Sequence, residues 1–408
     1  YTVALLLPSL LTTFLNLGIA PANVYFVGRG AVSVTLATRA SLRIGLVIAF
    51  IGTLIAALLI PLYGEQIFPG IPTNVLWLAL PIFPMSLLQG YISSLLQGLQ
   101  DFRRYNLALL LNPIVMLVLL AGVFVMGERR VAVMVIVAVF AYFANLIATW
   151  HLLRQTISVR TVEDVKVGNY IKDAVGYGYR AHLSNILAYV NYRVDAYLVN
   201  LLMNPTATGI YVIAVTMTEK LWVLSQAVST VILPRLSELD SKEDIRSQIT
   251  PFIVRWVFIT TVLASVLLVV FSTLIIKLLF GDAYLDARGA LLVLLPGIIL
   301  GSLSRIMAND VAARGRPELN MYTATGVVVV NVACNLLLIP PMGALGAALS
   351  TSIAYSINFL FRLWIYSWIS KNRWYVHFIF NSLDKAVLDY IIHFVRRRLH
   401  LFLGSFFS

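Results

Sequence analysis

The chain reads as an all-α, polytopic membrane protein built from two tandem, pseudo-symmetric six-helix bundles, and three observations lead there. Of its 408 residues 60% are hydrophobic and only 12% charged, with a mean hydropathy of +0.88, far more apolar than a soluble fold can bury. Apolar runs of about 20 residues recur along it, each enough to cross a hydrocarbon layer of roughly 30 Å. Their continuity implies helices, because barrel strands would be short and alternating. Finally, the pattern repeats. LWLALP ending at Pro81 resembles LLVLLP ending at Pro296, the basic turns before Asn106 and Asn320 match, and LYGEQ at Gly64 corresponds to LFGDA at Gly281, all at offsets of about 215 residues.

The predicted spans are 1–27, 42–62, 75–98, 105–126, 131–153, 174–203, 208–233, 252–280, 288–313, 319–340 and 344–369. Pro8, Pro21, Pro81, Pro84, Pro113, Pro234 and Pro296 lie inside or at the ends of these runs, where proline can kink or end a membrane helix whose neighbours satisfy the freed carbonyls. Connections alternate in charge. Arg29, Arg39 and Arg43, then Arg103 and Arg104, Arg154 to Lys172, Arg235 to Arg246, and Arg314 with Arg316 mark one side, whereas MNPT and PPMG carry no cation. The positive-inside rule makes the basic set cytoplasmic, with Arg129, Arg130 and Arg288 as departures.

That topology places Tyr1 outside, so an upstream first helix is expected as the partner of span 174–203. Four regions follow: residues 1–153 as an N-terminal bundle of about five helices, 154–173 as a cytoplasmic linker, 174–370 as a C-terminal bundle, and 371–408 as a basic amphipathic tail. In the tail, Asp384, Lys385 and Asp389 interrupt the apolar pattern, and Arg396, Arg397 and Arg398 suit an anionic inner leaflet.

Residues 176–202, GYGYRAHLSNILAYVNYRVDAYLVNLL, are long enough to cross a bilayer yet carry Arg180, His182, Arg193 and Asp195. A charge near the bilayer centre costs roughly 2.5–3.5 kcal/mol on the gentlest scales. At helical spacing Leu183, Leu187, Val190, Val194 and Leu201 form an apolar stripe. Arg180, Ser184, Asn191 and Asp195 form one polar flank, and His182, Asn185, Tyr189, Arg193 and Asn200 another. The helix either satisfies these groups by packing or lines a hydrated cavity. Spans 75–98, 105–126 and 131–153 contain no Asp, Glu, Lys or Arg, whereas later ones carry Arg193, Asp195, Glu219, Lys220, Arg305, Asp310 and Arg362. Such cations suit a phosphate-bearing substrate, and the three carboxylates suit counter-ions or groups that titrate during ion coupling.

Other chemistry is absent from the pattern. The net charge of +12 resides in loops rather than in a basic, aromatic-interleaved domain, so nucleic acid is not an expected partner. A single cysteine, Cys334, excludes a disulfide framework and a Cys-rich metal site. No phosphate-binding loop, HExxH or GxSxG occurs, and His151, His182, His377, His393 and His400 are scattered. An enzyme is not expected.

NYRVDAYLVNLLMNPTATGIYVIAVTMTEKLW followed by STVILPRLSEL resembles the central region of Wzx-type oligosaccharide flippases. ANDVAARGRPELN and LLLIPPMGALGAALSTSIAY resemble their second-half pattern, and LNLGIAPANVYFVGRG resembles the second helix of their first half. These belong to the multidrug/oligosaccharidyl-lipid/polysaccharide exporter superfamily. The resemblance implies twelve or fourteen helices around a central cavity, alternating access, and movement of an undecaprenyl-diphosphate-linked glycan from the inner to the outer leaflet of a bacterial or archaeal cytoplasmic membrane. Neighbouring polysaccharide-assembly membrane proteins are possible partners. It implies no cofactor beyond a proton or sodium gradient. A cationic cavity fits Arg193, Lys220 and Arg305, with Arg180 and Tyr189 as further substrate contacts, and Asp195, Glu219 and Asp310 as coupling groups or counter-ions. The alternatives are a multidrug/ion antiporter, which favours carboxylates in the N-terminal helices, a lipid II flippase, and a membrane glycan polymerase or ligase, which needs a long external loop.

Overall fold

The computed structural model describes residues 5–67, 72–127, 130–156, 167–239 and 243–371, together with Arg373, Val376, Ile379 and Asp384. Among the described residues the chain is helical throughout and has no strand. The helices are α1 (Leu6–Leu15), α2 (Ile19–Gly28), α3 (Val34–Ile67), α4 (Thr73–Ala79), α5 (Ile82–Gly98), α6 (Phe102–Val125), α7 (Val131–Arg154) and α8 (Val167–Leu202). There follow α9 (Pro205–Glu219), α10 (Trp222–Glu238), α11 (Glu243–Leu279), α12 (Ala287–Ala313), α13 (Pro317–Met342) and α14 (Ala344–Ser370).

Among the described residues eight segments are long and apolar enough to cross a membrane unaided, and the bent pairs α1–α2 and α9–α10 raise the number to ten. These ten match ten of the eleven predicted spans. The eleventh, 174–203, differs: α8 is a continuous helix of 36 residues, but its charged and amide side chains leave it outside the apolar set. The predicted linker is also shorter, since residues 167–173 are already helical and 157–166 lie outside the described residues. Most of the 371–408 tail, including Arg396, Arg397 and Arg398, lies outside them as well.

Prolines do not make the sharp bends. Pro61, Pro113, Pro234, Pro251 and Pro296 all sit within continuous helices. The first bend, 52°, separates α1 from α2, where Leu17 (φ 48°) and Gly18 (φ 69°) adopt left-handed backbone. Asn16 organises it. Its Oδ1 accepts the Gly18 N–H at 2.8 Å, its Nδ2 donates to Thr12 O at 3.1 Å, and its carbonyl accepts the Tyr91 hydroxyl at 2.6 Å. The second bend, 49°, separates α9 from α10 at Lys220 and Leu221.

Two compact units form, each assembled by contact rather than chain order. The first comprises Tyr1–Leu198, Ala227–Ser241 and Asn309–Cys334; the second comprises Val199–Gln226, Lys242–Ala308 and Asn335–Ser408. The first unit's core centres on Ile19, Tyr25, Phe83, Leu87, Tyr91, Leu95, Tyr170 and Tyr177. Within it the buried Asn23 is fully engaged. It donates to the Ser41 and Ser94 hydroxyls at 2.9 and 3.1 Å and accepts from Tyr170 at 2.8 Å, tying α2 to α3, α5 and α8. A buried amide is tolerated when every group is paired in this way.

In the second unit α12 and α14 cross closely. Ser352 Oγ accepts the Gly297 N–H at 3.2 Å, and a Cβ on Gly297 would lie 2.5 Å from Ser352 Cα. Gly346, within the small-residue stretch GALGAALS, similarly lets α14 meet the Leu338 carbonyl of α13. Tyr211 of α9 and Thr351 of α14 share a hydrogen bond at 3.0 Å.

Candidate functional site

The predicted site residues fall into three groups. The first lies at the α9–α10 break in the second unit. Lys220, the last residue before the turn, is exposed, and Glu219 beside it is half-buried. Trp222 opens α10 and is buried; its Nε1 donates to Ile298 O at 3.2 Å, and its ring lies 5.6 Å from that of Tyr355. The Arg305 guanidinium sits over this anchored indole, 4.9 Å from the ring centroid. Stacking on an aromatic face restrains the guanidinium without neutralising its charge. The structure thus brings Glu219, Lys220 and Arg305 to one helix break, held by a tryptophan that the charge pattern did not single out.

The second group follows α8, which belongs to the first unit as far as Leu198. On one polar flank Ser184, Asn191 and Asp195 are buried, whereas Arg180 stays partly exposed. The other divides, with His182 buried, its Nε2 donating to Phe14 O at 3.0 Å, and Asn185, Tyr189 and Asn200 exposed. Leu183, Val190 and Leu201 are exposed, as the apolar stripe predicts, whereas Leu187 and Val194 are half-buried. Arg193 belongs to the helix, but its side chain lies outside the described residues.

The third group surrounds the N-terminal part of α8, again within the first unit. Arg180 Nη1 lies 3.5 Å from Glu318 Oε2, and its Nε donates to the Tyr179 hydroxyl at 3.2 Å. Asp310, fully buried, accepts from Arg314 Nε at 2.7 Å. The Tyr177 hydroxyl donates to Ala312 O at 2.9 Å. Among the described residues no cluster of His, Cys, Asp and Glu is arranged for a metal.

Ten apolar spans among the described residues, two of them broken and one break carrying cations, in a chain with a tandem repeat, have the build of a membrane exporter of the multidrug/oligosaccharidyl-lipid/polysaccharide class. A crystal structure of a Vibrio cholerae MATE transporter has the same fold, with a TM-score of 0.72 at 15% identity, covering 92% of this chain and 88% of that one. The model of the lipid II flippase MurJ family matches residues 29–405, and the chain belongs to that family. Its family and its relatives are flippases and transporters rather than enzymes, and it is a multi-pass membrane protein.

A Haloferax volcanii protein described as a probable low-salt glycan biosynthesis flippase is 27% identical over 183 residues, 43% of this chain and 38% of that protein. A Shigella flexneri protein assigned as an O-antigen transporter is 22% identical over 285 residues, 70% of this chain and 67% of that protein. The chain therefore matches well under two thirds of the Haloferax protein's length.

Proposed function

We propose that the chain flips a lipid-diphosphate-linked oligosaccharide from the inner to the outer leaflet by alternating access, for surface polysaccharide assembly. The observation that carries this reading is the presence of two cations at the α9–α10 break: exposed Lys220 in the turn, and Arg305 stacked on Trp222, the first residue of α10. Broken membrane helices are where transporters of this build place substrate sites, because backbone and side chains there can face a cavity. Arg305 recognises a phosphate oxygen pair and Lys220 follows it as a mobile point charge. Arg193, Arg180 and Tyr189 are further contacts along α8. Of the carboxylates, Asp310 serves as the counter-ion of Arg314, and buried Asp195 and half-buried Glu219 couple transport to a proton or sodium gradient.

A lipid II substrate is the second reading, favoured by the family match; it offers the same diphosphate. The test uses the whole chain in vesicles with fluorescent polyprenyl-diphosphate oligosaccharide or fluorescent lipid II, following the fraction accessible from outside. Lys220→Ala, Arg305→Ala and Arg193→Ala at unchanged protein level should each slow flipping about tenfold or more, as loss of a charge-assisted contact worth about 1.5–3 kcal/mol implies. Wild-type rates in all three variants would overturn the assignment, and the substrate carried faster decides between the readings.

A further inference from the structure

The first unit contains a pocket of about 500 Å³, within the size range of ligand sites, at a place distinct from the α9–α10 break. Its walls come from α2, the start of α8 and the turn between α12 and α13. Lys172 and Arg180 supply cations and Asp173 one carboxylate, and the aromatic wall is Tyr25 with Tyr177. The two tyrosine rings stack face to face, 4.6 Å between centroids and 7° between planes. Each is pinned: the Tyr177 hydroxyl donates to Ala312 O at 2.9 Å, and Arg29 donates to the Tyr25 hydroxyl at 2.8 Å. Gly315, with φ +75°, lets the α12–α13 turn close over Tyr25, since a Cβ there would meet the hydroxyl at 2.6 Å. Pro317 then opens α13, a helix of 26 residues, and directs the positive end of its dipole to the same wall.

Arg180 is loosely held. Its distance to Glu318 Oε2, 3.5 Å, exceeds the roughly 2.7–2.9 Å of a charge-assisted hydrogen bond, and its side chain keeps 42% exposure. Glu318 Oε2 is itself buried and accepts no hydrogen bond. An arriving phosphate could therefore take Arg180 from Glu318 at little cost. Arg29, Lys172, Arg314 and Arg316 all belong to the basic connections, which the positive-inside rule assigns to the cytoplasmic side.

We infer that this pocket receives the diphosphate and first sugar of the lipid-linked substrate at the cytoplasmic leaflet, with Arg180 exchanging Glu318 for a phosphate oxygen and Lys172 holding the second phosphate. The inference rests on the flippase reading above, which supplies the lipid-linked diphosphate. It adds a receiving station separate from the Lys220 and Arg305 break.

The whole chain, carrying Lys220→Gln and Arg305→Gln so that only this pocket reports, is titrated in micelles with undecaprenyl diphosphate and followed by native mass spectrometry. Adding Lys172→Gln and Arg180→Gln should weaken binding about tenfold or more. Glu318→Gln, which frees Arg180, should tighten it severalfold. The pair Arg103→Gln and Arg154→Gln removes the same charge from exposed positions on the same basic side and should leave binding unchanged. Overturning results are unaltered affinity without Lys172 and Arg180, weaker binding by Glu318→Gln, an equal loss in the Arg103 and Arg154 control, or equally tight binding of the soluble UDP-N-acetylglucosamine. Flipping by the otherwise wild-type chain separates the two claims: its absence sinks the flippase reading, whereas flipping with an unaltered pocket affinity in the Lys172 and Arg180 variant sinks only this one.

Discussion

At the scale of residues, a close backbone approach in the first unit depends on two glycines. Gly18 and Gly178 face one another where the α1–α2 bend meets α8: a Cβ on Gly18 would lie 1.9 Å from the Gly178 carbonyl oxygen, and one on Gly178 would lie 2.7 Å from the carbonyls of Leu17 and Gly18. Both obstacles are backbone, so no side chain can rotate away, and Gly18 also needs its positive φ. Gly178→Ala should therefore lower stability by about 1–3 kcal/mol, the cost of overpacking, visible as a reduced midpoint in detergent unfolding. Gly90→Ala, where a Cβ meets nothing within 4 Å, is the matched control on α5 and should be neutral or slightly stabilising. Residue-level legibility was uneven. Arg180, Asp195, Lys220, Arg305 and Asp310 stand out in the sequence because charge is costly in apolar runs. Trp222, Tyr25 and Tyr177 do not, because an aromatic residue in such a run carries no mark of the cation or ring it will meet.

At the scale of elements, breaks and caps were the least legible features. The sequence directs attention to prolines, yet α3, α6, α11 and α12 run through theirs, while the α1–α2 bend is built by the Asn16 amide and left-handed Leu17 and Gly18. A membrane helix accommodates proline once neighbours satisfy the released carbonyl, so its presence does not specify a bend. The start of α6 is fixed by local chemistry instead. Asp101 caps it, accepting from the Arg104 N–H at 3.1 Å and from its guanidinium at 2.6 Å. Partial burial pulls the Asp101 carboxyl upward, but these hydrogen bonds and the charges of Arg104 and Arg103 outweigh it and hold it below its ordinary value. A depressed folded value means the contribution is present above the unfolded carboxyl value and lost as pH falls through the folded one. Asp101→Ala should cost about 1 kcal/mol at neutral pH, and unfolding midpoints of the two proteins should converge as the pH is lowered into the acid range.

At the scale of the whole molecule, the second unit reaches beyond its membrane spans. Arg255 of α11, 2% exposed, pairs with fully buried Asp384 at 2.5 Å and donates to Val376 O at 2.6 Å. The 371–408 region is thus tied into protein at Asp384, a contact that its amphipathic pattern did not foretell. Arg255→Ala leaves a buried carboxylate without this partner and should cost about 3–5 kcal/mol; replacing Arg255 by Met and Asp384 by Leu together should recover much of it, and thermal unfolding in detergent measures both. Sequence alone determined the all-helical membrane class, ten of the eleven spans it predicted and the tandem repeat, because hydropathy and period are properties of consecutive residues and need no partner to be read. Tertiary structure decided which of the costly polar groups face protein, that Arg305 of α12 stacks on Trp222 at the break beside Lys220, and that Lys172, Arg180 and two tyrosines line a pocket. Those are contacts between residues far apart in the chain, and only packing at sub-ångström tolerance selects them.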